Sequence, residues 1–381
     1  MFRPLLLGTL LPTLCQALTV SPNAISEALS HADLVADIHV TALQAKPHSE
    51  RFATFEATAE IESVARGKEN LERTSIVIEG LGGEISDRGV IYSGIPRPYR
   101  EHRYHAHLKV LENGHYSIAG FEEGLKDLSP SRSFTRNRTD GSNGEGVGAF
   151  LFWDDSFFPL PYYLSAPSFK GRIEFQDAID ASFKTWRDVQ NIRIEFQPMG
   201  CSISQRNEND GLNHVILVTD AWSFGDPQII AITRNFYIAG DSEKSGMILD
   251  SDILLNAVNH QFTTTDEAGK NDVQNIVTHE VGHFLGLGHE VAPEDSDATM
   301  YAKAVPNELK KRILKDNDLG GIRSAYAGTG SKQSWSGSHC DLSIPSSCLA
   351  VHDSQGPMWI FGVALFWLFS MWVGRRLFLL D

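Results

Sequence analysis

A chain of 381 residues with 42% hydrophobic content can bury a sizeable core and suggests about two domains. Its formal net charge of −15, with no basic domain or Lys/Arg stripe, argues against nucleic acid as a partner. The acidity fits an extracytoplasmic protein, most of whose carboxylates simply face water.

The chain opens with Met1-Phe2-Arg3 and an apolar run from Leu5 to Leu14, then Cys15-Gln16-Ala17. One positive charge, a short apolar stretch and a small-residue cleavage site describe a secretory signal peptide over residues 1–17. Leu14 is not the small residue that a lipoprotein signal would place before Cys15. Residues 18–130 are expected to form a β-rich domain, a small barrel or sandwich. Phe52 to Ala65, Thr74 to Gly80 and Val90 to Tyr92 are β-branched or alternating, and Gly82-Gly83 and Glu112-Asn113-Gly114-His115 read as hairpin turns. His105 and His107 would share a strand face near His102, where a solvated face is a simpler reading than a metal site. Residues 131–148 are polar and rich in Gly and Ser, as a linker is. Arg132, Arg136 and Arg138 make this stretch a candidate nicking site that would separate a propeptide-like β domain from the rest of the chain.

Residues 149–328 carry the chemistry. Short strands are expected at Tyr162-Tyr163-Leu164, Ile192 to Phe196, His214 to Val218, Ile229 to Ile238 and Met247 to Asn256. An amphipathic helix is expected from Phe175 to Val189. Asn271-Asp272 caps a second helix whose apolar set is Val273, Ile276, Val277, Val281, Phe284 and Leu285. On that helix His279 and His283 lie four apart, one turn apart on one face, so two imidazoles can reach one zinc ion. Glu280 beside them is the candidate general base. Gly286 can take the positive φ that ends the helix and turns the chain, which lets His289 complete a three-histidine site. Three protein ligands leave a fourth position for water, the catalytic arrangement. Met300 follows in Ala298-Thr299-Met300-Tyr301, and a last helix is expected over about Asn307 to Ala325.

The run His279-Glu280-x-x-His283-x-x-Gly286-x-x-His289 with a downstream Met300 resembles the metzincin signature. Gly286-Leu287-Gly288-His289, Ala298-Thr299-Met300-Tyr301, Asp252-Ile253 with Asn256, and Asp318-Leu319-Gly320-Gly321-Ile322 through Tyr326 are similar to the matrixin branch. The resemblance covers about residues 149–328. It implies an α+β zincin domain: a twisted, mostly parallel sheet with one antiparallel edge strand, a zinc-binding helix, a methionine turn and a C-terminal helix. It also implies a zinc endopeptidase whose substrate backbone lies along the edge strand near Ile229 to Ile238. Met300 would be an apolar floor under the histidines. The chain departs from the branch in two places. It has no cysteine-switch segment, and Tyr301-Ala302-Lys303-Ala304 lacks the Pro-x-Tyr pattern of the specificity-pocket wall.

Asp241, Asp250 and Asp252 are candidate ligands of a structural calcium ion. His214 is a lesser candidate for a second zinc. Residues 329–356 read as a Ser/Gly-rich stalk in which Cys340 and Cys348 form a candidate disulfide, leaving Cys201 as an unpaired, buried thiol. Residues 357–374 are apolar and precede Arg375-Arg376 in a short basic tail, 375–381. This pattern reads as a membrane anchor or a sorting signal that keeps the enzyme outside the cytoplasm.

Overall fold

The computed structural model describes residues 22–49, 52–67, 71–85, 88–92, 95–99, 102–128, 136–139, 148–202, 209–224, 226–240 and 242–328. The amino-terminal part begins with a helix that the residue pattern did not predict, α1 (Pro22–Ser30). Strands β1 (Leu34–Ser49), β2 (Phe52–Arg66), β3 (Ser75–Leu81), β4 (Gly83–Ile85), β5 (Arg88–Tyr92), β6 (Arg103–Val110), β7 (Tyr116–Ile118) and β8 (Leu125–Asp127) come next. Among the described residues, one sheet runs β1-β2-β3-β7-β6-β8, and a further β1–β6 pairing closes it on itself. The period-2 pattern explains why. In β6, Tyr104, Ala106 and Leu108 point inward while His105 and His107 point out. In β2, Phe55, Ala57, Ala59 and Ile61 meet them in the same core.

The second part contains β9 (Leu160–Ser165), α2 (Ala166–Phe169), α3 (Ile173–Arg187), β10 (Phe196–Ser202), β11 (His214–Val218), β12 (Ala231–Ile238) and β13 (Ile248–Asn256). Short strands β14 (Phe262–Thr263) and β15 (Asn271–Asp272) lead into α4 (Val273–Phe284), and α5 (Asp316–Tyr326) ends the described chain. Strands β10, β9, β11 and β13 are parallel neighbours, and β12 is antiparallel to β13. In β11, Val215, Ile216 and Leu217 are all buried, as expected of a parallel strand covered on both faces. Helix α4 packs on one face through Thr233 and Asn235 of β12. Alternate residues Ile232 and Leu254 look to the other face, where they join Phe224 and Ile229.

Three expectations are corrected. The strand expected at Ile192 begins at Phe196, because Asn191 sits at φ 63° and Ile192 instead bridges Ala327 beside the last helix. The last helix begins at Asp316 rather than near Asn307, whose φ of 68° is left-handed; a short 3₁₀ turn at Lys310–Arg312 and extended backbone at Ile313 intervene. The antiparallel strand β12 is present but is not the edge. Strand β5 pairs along it from Arg234↔Tyr92 to Ile238↔Arg88, and β4 pairs with β5 beyond. The reason lies in the apolar face below: Ile25, Ala53, Val90, Tyr92 and Ile95 from the amino-terminal region share one core with Phe224, Ile229, Ile232 and Leu254.

Candidate metal centre

Helix α4 is built to present its histidines inward. Asp272 caps it by accepting from Asn275 N at 2.7 Å, and the Arg312 guanidinium holds the same carboxylate. Val273, Ile276, Val277, Val281, Phe284 and Leu285 are buried as the periodicity predicts. Trp153 Nε1 donates to Phe284 O at 2.8 Å and Tyr326 Oη to Leu285 O at 2.9 Å, so carbonyls at the helix end are satisfied by two distant side chains. Gly286 then turns the chain at φ 85°. A Cβ there would lie 2.6 Å from Leu151 O, so the turn has room only for glycine.

The turn brings His289 back over the helix. His279 Nε2 lies 2.9 Å from His289 Nε2 and 3.1 Å from His283 Nε2. The three form a set whose ligand atoms all fall within 4.8 Å. His279 Nδ1 meets Thr299 O at 2.6 Å and His283 Nδ1 meets Leu287 O at 2.8 Å. A backbone carbonyl can only accept, so Nδ1 carries the proton in both rings and each Nε2 turns a bare lone pair toward the centre. Burial pushes the His279 and His283 pKa values well below the ordinary imidazole range and His289 down to about 3, so all three stay neutral. The nearby Lys311 ammonium acts in the same direction.

Glu280 is fully buried beside this cluster, and Thr233 of β12 donates to its Oε2 at 2.7 Å. Met300 packs under the helix at Gly282, where a Cβ would come 2.2 Å from the Met300 sulfur. The turn carrying Met300 is held from both sides. Asp318 accepts from Thr299 N and Met300 N at 2.8 and 2.9 Å, while Glu290 N donates to Met300 O at 2.9 Å. Lys311 is wholly buried; its Nζ reaches Thr299 O at 3.1 Å and also Tyr301 O, and burial lowers its pKa to about 7. In the sequence this lysine sits in Lys310-Lys311-Arg312, inside the stretch expected to form the last helix. Thr233, Trp153 and Tyr326 were missed as well, since their partners are set by the tertiary fold.

Other candidates do not converge. Asp250 and Asp252 lie on one face of β13 but bond the 210–214 segment: Asp210 N and Gly211 N donate to Asp250, and His214 N to Asp252. No set of three metal-ligating side chains found among the described residues includes either aspartate or His214, and Asp241 lies outside those residues. His105 pairs with Asp37 at 2.8 Å rather than with a third histidine ligand. A second convergent set, Glu56, Glu79 and His115, lies on the amino-terminal barrel, where the Lys46 ammonium already pairs with Glu56. Cys201 is disulfide-bonded, which corrects the unpaired thiol expected there. Cys340, Cys348 and residues 357–374 lie outside the described residues, among which no helix is long and apolar enough to cross a membrane.

Residues 159–327 match the family model of the matrixins, a peptidase family. A curated relative, Metalloendoproteinase 1 of Glycine max, is 26% identical over 161 residues, covering 40% of this chain and 45% of that protein. The match thus spans under half the length of the relative. The family match at 159–327 covers β9 to β15, the three-histidine cluster, the Met300 turn and α5, and it begins after the amino-terminal barrel.

Proposed function

We propose that this chain, matrixin-like over residues 159–327, is a zinc-dependent endopeptidase acting on proteins outside the cytoplasm. The observation that carries the reading is the direction of the three imidazoles. Carbonyls fix the Nδ1 protons of His279 and His283, and neutral Nε2 atoms crowd to 2.9–3.1 Å around one point. Tetrahedral zinc with Zn–N bonds of about 2.0–2.1 Å needs ligand nitrogens roughly 3.3 Å apart, so His279, His283 and His289 would accept it with a small outward shift. When bound, zinc supplies a Lewis acid that brings the pKa of water toward about 7 and steadies a developing oxyanion.

The chain's own groups supply the rest. Glu280 takes the water proton as general base and delivers it to the leaving amine. Thr233 holds Glu280 Oε2 from the sheet side, which fixes the carboxylate before substrate arrives. Met300 serves as packing under Gly282, not as a ligand. The substrate backbone would extend the sheet at Ala231–Thr233, just past the point where the β5 ladder ends at Arg234. Ala231, Ile232, Thr233, Glu280 and the three histidines are 0–4% exposed, so peptide binding requires the groups packed over them to move away or be cut. An activity at the cell surface or in the secreted fraction would follow from the leader expected at residues 1–17 and the anchor or sorting segment expected at 357–374. Calcium has the weaker claim, because Asp250 and Asp252 already serve backbone amides.

The test is a Glu280→Gln protein. It should retain one zinc per chain and lose about 10²–10⁴-fold in hydrolysis of an unstructured protein. Undiminished hydrolysis would remove Glu280 from its role, and products trimmed only from the termini would exclude an endopeptidase.

A further inference from the structure

Between the amino-terminal barrel and the matched segment, the described residues Arg136 to Thr139 are built against the metal centre. Asn137 lies between two chain segments. Its backbone N donates to Gly286 O at 3.0 Å, and its backbone O accepts from Leu151 N at 2.9 Å. Its side-chain Nδ2 donates to Leu287 O at 3.1 Å, the same carbonyl that takes the His283 Nδ1 proton at 2.8 Å. A carbonyl oxygen has two lone pairs, and these two donors fill them. The Leu287 amide is fixed from its other end by Gly282 O at 3.0 Å.

The flanking side chains lock this segment in place. Arg136 donates to Leu151 O at 2.7 Å, Arg138 lies 3.6 Å over the Phe150 ring, and Thr139 exchanges hydrogen bonds with Ala149. We propose that Asn137 is a positioning residue of the zinc site: by holding the Leu287 carbonyl it fixes the tautomer and direction of His283. The inference rests on the zinc reading above and extends it to a residue outside the matched segment 159–327. Partners of a metal-bound histidine orient the ring and raise its basicity, and their loss weakens metal binding about 10–100-fold.

The experiment uses the full chain and zinc alone. Zinc affinity is measured by competition with a chromophoric chelator for wild type, Asn137→Ala, Asn137→Asp and His283→Ala, beside the melting temperature of each metal-free protein. Ring ¹⁵N signals of His283 report its tautomer. Asn137→Asp keeps the shape and both backbone bonds but loses the donor, so it serves where Asn137→Ala fails to fold. The expected result is a zinc Kd raised about 10–100-fold in both Asn137 variants. The metal-free Asn137→Asp protein should still unfold cooperatively, with a melting temperature lowered only by the one lost hydrogen bond, and the His283 ring should no longer hold a single tautomer. Wild-type zinc affinity together with a wild-type ring signal in Asn137→Asp would overturn the proposal. A wild-type protein that binds no zinc, or a His283→Ala protein that binds it as tightly, would instead overturn the three-histidine reading.

Discussion

Replacing Gly286 by alanine tests how the histidine cluster is assembled. The residue sits at φ 85°, where an L side chain costs about 1–2 kcal/mol. Its Cβ would lie 2.6 Å from Leu151 O and 3.3 Å from Leu151 Cβ, and Leu151 is itself held by Asn137 and Arg136. Relieving the contact must move either Leu151, loosening its bond from Arg136, or the turn itself, displacing Leu287 O from His283. One hydrogen bond lost adds about 1 kcal/mol. The sum is roughly 2–3 kcal/mol of stability, and the displaced His283 and His289 should weaken zinc binding at least tenfold. Urea unfolding of metal-free protein gives the first number and chelator competition the second. A Gly286→Ala protein within about 0.5 kcal/mol of wild type, with unchanged zinc affinity, would refute the account of the turn.

Burial, aided by Asp252 and Asp210, raises the Asp250 pKa to about 8. An acid with a raised folded pKa holds more protons folded than unfolded between about pH 4 and 8, so its contribution to stability falls as pH rises through that window. Asp250→Asn should flatten this slope and leave the protein more stable at pH 8 than wild type, by an amount on the order of 1–3 kcal/mol read from urea unfolding at several pH values; equal slopes would argue against a protonated Asp250. Added calcium should not raise the wild-type melting temperature, and a rise abolished by Asp250→Asn would restore the calcium site. Tyr326→Phe removes the donor to Leu285 O and the acceptor of Trp153 N, and should destabilise by about 1–3 kcal/mol in the same assay; no measurable change would show that the helix end is satisfied otherwise. Limited trypsin digestion should leave the bonds after Arg136 and Arg138 intact in folded protein, and early cuts there would contradict the packing of this segment.

The parts of this molecule with a local period were legible in its residues. The cap at Asp272, the inward face of α4, the φ of Gly286 and the strands near His214 and Ile248 all depend on neighbours within one or two turns of chain. Sequence spacing placed His279, His283 and His289 together because a helix and one glycine set that distance. What escaped was non-local. Nothing in Lys310-Lys311-Arg312 shows that Lys311 alone turns inward to hold carbonyls of the Met300 turn. Asn137 sits in a polar, glycine-rich stretch whose composition describes free chain, yet its side chain bonds a carbonyl 150 residues away. Helix α1 was hidden by its length, since nine residues whose core contacts include Ile25 and Leu29 give little periodicity. Strand β5 was visible as Val90 to Tyr92, but its membership in the other sheet is a matter of topology.

That membership bears on how the protein can be handled and on how it folds. A fragment beginning at residue 149 would keep the three-histidine cluster but bare the outer hydrogen-bonding groups of β12 from Arg234 to Ile238. It would also uncover Phe224, Ile229, Ile232 and Leu254, which now pack against Val90, Tyr92 and Ile95. An open strand beside a naked apolar face is a template for pairing with other molecules. The amino-terminal region therefore doubles as a solubilising cap for the newly made sheet, and the isolated fragment is expected to associate unless a strand is supplied in trans.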